Sequence, residues 1–443
     1  MSAGPWPHAG QAGLRLEEAE GEPPLRQAKE LDGLRQERRK LADWLRKGED
    51  PWERFPAAPR SRGELAALRG GWREAADGGS LLQGGFADYA LALLSAWDAF
   101  GEALDIGGDF SRRARAIVRA LREERRLPVY APFPLQPERT ASGDRAPLLQ
   151  PSADGLLLTG VQPVPAEALL AAELLLAVPE QPDGPPSALL LVPIASPGAE
   201  LGPWQEGDAA LELRLRRVLV PQERVLVQGD ADRVRLLLSE PPFAGLADFQ
   251  RAARELERLE ELVGLAFALA ERGGRTPELE LGSRLGLLVQ RLETQRALLL
   301  AAEREAAAAP GGVWLPAEVP LYAALAESGA ALREAAALLP EAAGWRIAVP
   351  VRSAGRSGAA ASADAAASGE AALAERARCW SSGRRARELQ LGLLAWGSDE
   401  QRAAASWSRY PAERLRGLYR SFWQSWEAGR TVGSAQRRKG EDE

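Results

Sequence analysis

Reactions at neutral pH commonly draw on histidine, cysteine or paired carboxylates, and this sequence holds one histidine and one cysteine. His8 lies in "MSAGPWPHAGQAG", a Gly/Pro-rich stretch that reads as a disordered leader. A Ser-His-Asp triad, a histidine base and a histidine metal site are therefore excluded as readings. A lone cysteine, Cys379, likewise excludes an intrachain disulfide and a cysteine-clustered zinc or iron–sulfur centre, so no metal is expected. Cys379 stands beside Trp380 and near several arginines whose charge would lower a thiol pKa, but it reads as a buried or incidental thiol. The acidic residues are spread along helical patterns, and no single Glu stands out as a base. Tyr89, in "ADYALALL", reads from its neighbours as part of a helix core. Trp396, Trp407, Trp423 and Trp426 read as bundle or subunit-interface packing.

A chain of 443 residues exceeds one ordinary hydrophobic core, so two or three packed units are expected to position any site. Residues 1–24 read as leader. "LRQAKELDGLRQERRKLADWLRKG", Leu25 to Gly48, spaces Leu31, Leu34, Leu41 and Leu45 as an amphipathic helix. A second helical block starts at Ser61, with Glu64 completing a capping-box pattern, and helices fill most of the sequence to about 126. From Leu127 the text changes to "LPVYAPFPLQPER", then to short apolar runs divided by turn residues, which read as strands to about 230. In "ALELRLRRVLV", Leu211, Leu213 and Leu215 alternate with Glu212, Arg214 and Arg216, the period of a sheet with one wet face. "VLVPQERVLVQGD" (218–230) then sets a strand, a proline turn and a second short strand before helical text resumes.

In that last region Phe249, Ala252, Leu256, Leu259, Val263 and Phe267 form one apolar stripe, and Leu285, Val289, Leu292 and Leu299 form another. Further helices are expected at "PLYAALAESGAALREAAALLP" and from about Arg385 to Trp396, continuing from Ala412 to Trp426; together these read as a bundle. Ser353 to Gly369, almost wholly Ala, Ser and Gly, reads as a low-complexity loop. The fold class is thus mostly α with a central β domain: leader 1–24, N-terminal helical domain 25–140, β domain 141–240, C-terminal helical bundle 241–428, tail 429–443. The 56 basic and 62 acidic residues are interspersed, for a net charge of -6, which gives no field for nucleic acid. The apolar stretch Ala168 to Pro179, broken by Glu173, falls short of the roughly 20 residues of a membrane span, and no secretory signal is read, so a cytoplasmic location is expected.

Helices, a small β-barrel or sandwich and a four-helix bundle, in that order, resemble the acyl-CoA dehydrogenase-like architecture. Within it, "GLLLTGVQPV" (155–164), "RRVLVPQERVLVQGD" (216–230), "LERLEELVGLAFALAE" (256–271), "RLETQRALLLAAE" (291–303) and "GVWLPAEVPLYAALAE" (312–327) together resemble the oxygenase component of 4-hydroxyphenylacetate 3-monooxygenase. The resemblance implies a flavin-dependent monooxygenase. Reduced FAD would come from a separate NAD(P)H:flavin reductase, the substrate would be a small aromatic phenol, and the assembly would be a homotetramer. It also assigns site residues. Tyr89 and Tyr130 take substrate-handling positions, with Gly85 where the family has an Arg and Tyr130 where it has a His. Gln136, Arg139, Ala166, Tyr410 and Glu413 fall at flavin-contacting positions, Ala166 replacing a Thr; Gly397 keeps the glycine-rich turn, with Arg402 or Arg409 as shifted replacements for a family Arg. A tyrosine hydroxyl donates a hydrogen bond well, but with a pKa near 10 it is a poor base. Two further readings stand beside this one: a degenerate homologue acting as a binding or assembly partner, and an acyl-CoA dehydrogenase proper, which would need a carboxylate base.

Overall fold

The computed structural model describes residues 58–77, 84–100, 107–124, 126–137, 147–181, 183–205, 208–347, 361–420, 423, 424 and 426. His8, the expected helix Leu25–Gly48 and Arg139 lie outside them. The first described elements are α1 (Arg62–Asp77), α2 (Phe86–Phe100) and α3 (Gly108–Glu123). Ser61 caps α1, its Oγ accepting from the Glu64 N–H at 3.1 Å. α2, "FADYALALLSAWDAF", is apolar almost all round and buried on nearly every side, as such a helix must be. α3 buries Phe110, Ala114, Ile117, Val118 and Leu121 along one stripe.

The β domain is two four-stranded sheets facing each other, a sandwich and not a closed barrel. One has the order β1 (Pro128–Ala131), β4 (Glu173–Pro179), β5 (Pro186–Pro193), β8 (Val225–Val227); the other runs β2 (Leu149–Ser152), β3 (Gly155–Pro165), β7 (Ala210–Pro221), β6 (Ala199–Leu201). The first sheet is covered twice. Leu174, Leu176, Leu190 and Val192 face the second sheet, while Leu175, Leu189, Leu191 and Val227 join the helical core. That explains the unbroken apolar runs of β4 and β5, in contrast to the alternation of β7, whose Leu211, Leu213 and Leu215 are buried between exposed Glu212 and Arg216.

The "VPQERV" stretch has a definite task, since β7 and β8 belong to different sheets. The single 3-10 turn Gln222–Arg224 carries the chain from one sheet to the other. Arg224 is buried there and pairs with Glu173, which also receives Arg126 at 2.9 Å. Two cations satisfy one buried carboxylate at the start of an inner strand, where an unpaired charge would cost several kcal/mol (~3–5).

α4 (Ala231–Ser239) leads to the long helices α5 (Gly245–Arg272), α6 (Leu279–Arg304) and α7 (Glu318–Ala343), which pack on one another. They are followed by α8 (Ala361–Ser381), α9 (Arg384–Ala395), α10 (Asp399–Arg409) and α11 (Ala412–Leu418). Several expectations need correction. Residues 361–369 are helix, because an Ala-rich run has high helix propensity even at low complexity. α10 fills a span between Trp396 and Ala412 where the sequence pattern predicts no helix; it is started by a capping box, with Ser398 accepting from the Gln401 N–H. The first apolar stripe ends early, and the second includes one residue, Val289, off the buried face. Phe267 is 51% exposed and Val289 47%, whereas α6 buries Leu281, Leu285, Leu288, Leu292, Leu299 and the polar Gln295. Trp407, at 70% exposed, packs no core. No described helix is long and apolar enough to cross a membrane.

Candidate functional site

The site forms where the start of α2 meets β1, the turn after β3, and α5. Gly84 and Gly85 precede α2, and the chain is held there from α5: Gln250 Nε2 donates to the Gly85 carbonyl at 3.2 Å and Arg258 to the Gly84 carbonyl at 2.7 Å. Gly85 has φ +81°, a region disfavoured for residues with a Cβ, and an added Cβ would lie 3.3 Å from Gln250 Nε2 and 3.4 Å from Arg254 Cγ. The guanidinium beside this position is thus that of Arg254, reaching in from α5. It is buried and bound to Asp88 of α2, Nε to Oδ2 at 2.9 Å.

The first turn of α2 is capped from the β domain. Glu167, in the 3-10 turn Ala166–Leu169, accepts from the Ala87 N–H at 2.7 Å, and its Oε1 is buried with no close hydrogen-bond donor among the described residues. A helix N-terminus favours a carboxylate, yet burial and then the nearby Asp88 outweigh this and push the Glu167 carboxyl up to about 8.

One turn into α2, Tyr89 meets Tyr130 of β1, ring centroids 5.3 Å apart. Both rings pack on Trp396, the residue that ends α9: Tyr89 at 4.6 Å, Tyr130 at 6.1 Å and nearly parallel, with Phe86 stacked at 5.5 Å. Arg251 of α5 places its guanidinium 5.0 Å from the centre of the same indole. Burial, then Asp248, holds the Tyr89 phenol well above its ordinary range and carries Tyr130 to about 12. At neutral pH both are protonated donors.

Behind the rings a buried polar seam joins α5, α7 and α10. Tyr322 donates to Asp248 at 2.7 Å, and Arg409 lies over the Tyr322 ring at 4.2 Å. Glu255 receives Arg251 at 3.2 Å, Arg402 at 3.3 Å and the Ser328 hydroxyl. Burial raises the Asp248 carboxyl, against the opposing pull of Arg251. Burial also works to raise Glu255, but Arg251 and Arg402 outweigh it and the carboxyl falls below its ordinary range.

Of the residues expected from the sequence, Tyr89 and Tyr130 are brought into contact. Gln136 is exposed and pairs backbone to backbone with Val161 of β3, at 2.8 and 2.9 Å. Ala166 is buried where β3 ends, its N–H bonded to the Ala209 carbonyl at 2.9 Å. Tyr410 follows α10, and Glu413 is exposed on α11, paired with Arg416. Among the described residues, no hydrogen bond, ion pair or ring contact joins these two to the aromatic cluster. Arg402 and Arg409 are engaged in the seam. Sequence reasoning missed Glu167, Asp248, Arg251, Arg254 and the place of Trp396. Glu167 carried a signal, being an acid in an apolar run next to a residue already singled out; the α5 residues look like ordinary members of a charged helix.

The 4-hydroxyphenylacetate 3-hydroxylase C-terminal domain family matches residues 234–354. The chain resembles the HpaB oxygenases at low sequence identity. A crystal structure of the oxygenase component (HpaB) of 4-hydroxyphenylacetate 3-monooxygenase complexed with FAD is 18% identical, with a TM-score of 0.70 over 84% of this chain and 85% of that one. The complex of that component with FAD and 4-hydroxyphenylacetate gives 17%, 0.69, and 84% of each chain. An oxygen-tolerant archaeal 4-hydroxybutyryl-CoA dehydratase from N. maritimus is 14% identical, with a TM-score of 0.63 over 83% of this chain and 81% of that one. No curated protein sequence matches. At these identities the likeness establishes the fold, which is acyl-CoA dehydrogenase-like: mostly helical with a central two-sheet domain.

Proposed function

We propose that this chain is a flavin-linked oxidoreductase of the aromatic monooxygenase type, handling a small phenolic ring at Tyr89 and Tyr130. The observation that carries the reading is the contact of these two phenols, Tyr89 buried and Tyr130 half-buried, ring centroids 5.3 Å apart, at the junction of β domain and helices in an HpaB-type fold. A flat ring would be received by the faces of Phe86 and Tyr130, which lie near-parallel to the Trp396 indole packed on them. FAD's polar atoms would be held by the exposed Gln136 amide and the backbone near Ala166, with Arg139, Tyr410 and Glu413 as further contacts. Reduced FAD, delivered by a separate NAD(P)H:flavin reductase, would supply the oxygen activation. The chain's own part is narrower. Two protonated tyrosines donate hydrogen bonds to a substrate oxygen, and the aromatic box excludes water from the reacting ring. Self-association is part of the proposal: Leu279, Leu287, Val289 and Leu300 give α6 an exposed apolar surface suited to a homo-oligomer.

A second reading, a non-catalytic homologue serving as a binding or assembly partner, is favoured by the side chains that are changed: Gly85, Tyr130 and Ala166 in place of an Arg, a His and a Thr. Turnover with a flavin reductase, NADH and 4-hydroxyphenylacetate tests the choice. The enzyme reading expects catechol product that disappears in Tyr89→Phe/Tyr130→Phe. Uncoupled NADH oxidation with no product, across a panel of simple phenols, leaves the second reading.

A further inference from the structure

Four independent groups converge on one indole. Trp396 is the residue around which the candidate site is built: Tyr89 and Phe86 come to it from α2, Tyr130 from β1 and Arg251 from α5. Phe86 and Tyr130 lie within 19° and 13° of the indole plane, the arrangement in which a flat aromatic guest would be stacked. An indole in this position and a planar ligand compete for the same faces.

The way the ring is held differs from that of three other tryptophans. Trp97 donates to the Leu237 carbonyl at 3.2 Å, Trp204 to the Asp208 carbonyl at 3.2 Å and Trp380 to Glu261 at 3.0 Å. Among the described residues, no hydrogen bond holds the Trp396 N–H. The ring is only half-buried, although its partners Phe86 and Tyr89 are buried. Its backbone sits at a joint: Trp396 follows the last residue of α9, Gly397 has φ +84°, and Ser398 then caps α10. Stacking fixes the indole, and neither a hydrogen bond nor a helix interior does.

We propose that Trp396 is the specificity-determining residue of this site: its indole is a built-in occupant of a slot for one flat aromatic ring, and a planar ligand binds by exchanging with it. Phe86, Tyr89, Tyr130 and Arg251 form the slot, and the joint at Gly397 lets the indole leave. This rests on the functional reading for the identity of the natural ligand, but not for the existence of the slot. A consequence is that the wild-type chain binds planar rings weakly, because each must displace a stacked tryptophan, and that shortening residue 396 turns a weak site into a strong one.

The test is chemical complementation. Trp396→Gly removes the indole, and free indole is the probe. Indole at millimolar concentration is expected to raise the Tm of Trp396→Gly by several degrees and to leave the wild type unmoved; a cooperatively melting Trp396→Gly that indole does not stabilise overturns the proposal. If that variant does not fold, the unmutated chain decides. With 5-fluorotryptophan incorporated and the Trp396 resonance assigned by its loss in Trp396→Phe, saturating 4-nitrophenol is expected to move that resonance, and binding that leaves it in place overturns the exchange. FAD separates the two claims. A tenfold or greater gain in FAD affinity in Trp396→Gly supports both, whereas equal affinity in the two proteins overturns the exchange and leaves the flavin reading intact. Indole rescue with no FAD binding to either protein supports the slot and sinks the flavin reading.

Discussion

Glu167 offers the sharpest physical prediction. Glu167 is 2% exposed and accepts the Ala87 N–H at the start of α2, with the Gly85 backbone as a lesser influence. Burial carries it from 4.5 in a solvated chain to about 8. In the folded protein the group therefore stays protonated through a range where the unfolded chain has already released its proton. The folded state then binds more protons, and stability must fall as pH rises through the window from about 4.5 to about 8. The slope for one such group approaches ~1.4 kcal/mol per pH unit, so the loss between pH 5.5 and pH 8 is on the order of 3 kcal/mol. Glu167→Gln keeps the shape and a neutral group at every pH. Urea unfolding of both proteins from pH 5.5 to 9 is the assay, and the difference between them isolates residue 167 from Glu173 and Asp248, which titrate in both. Glu167→Gln is expected to gain on the wild type by roughly 3 kcal/mol across that range. Parallel curves would refute the burial argument, showing that solvent or a cation satisfies the carboxylate in solution.

Three further outcomes follow from the same geometry. Asp88→Asn leaves Arg254 buried beside a neutral amide, and urea unfolding is expected to show a loss of about 3–5 kcal/mol, far beyond that of an exposed pair. Gly85→Arg, which restores the side chain expected at that position by resemblance, is expected to destabilise by at least ~1–3 kcal/mol and to restore nothing, because φ is +81° and Arg254 fills the space; full stability by thermal melting would contradict this. Asp248→Asn removes a charge that, after burial, raises Tyr89, Tyr130 and its own partner Tyr322, so ultraviolet titration of the tyrosines is expected to show three phenols ionising at lower pH than in the wild type, and an unchanged profile would count against the coupling.

Much of the fold was legible because burial leaves a periodic trace. β7 alternates since one of its faces is wet, and β4 and β5 do not, since sheet and helices cover both. The Pro221 turn stood out, although only the sheet order shows that it moves the chain between sheets. Other errors have local causes. Ala, Ser and Gly at 361–369 look like a linker by composition, while alanine propagates a helix wherever a neighbour covers it. α10 carries its own start signal in Ser398 and Gln401, obscured by an expected glycine-rich turn. Tyr89 and Tyr130 were found only through family resemblance, since 41 positions separate them and no local period links α2 to β1. Trp396, Arg251 and Asp248 left no trace, because a residue that serves a site across three elements has the same local pattern as one that packs a core.

The most direct test of the account is an equilibrium titration of the wild-type chain and of Trp396→Gly with FAD, followed by flavin fluorescence. The account predicts saturable binding of one flavin per chain, weak in the wild type and at least tenfold tighter in Trp396→Gly. No saturation in either protein would contradict it.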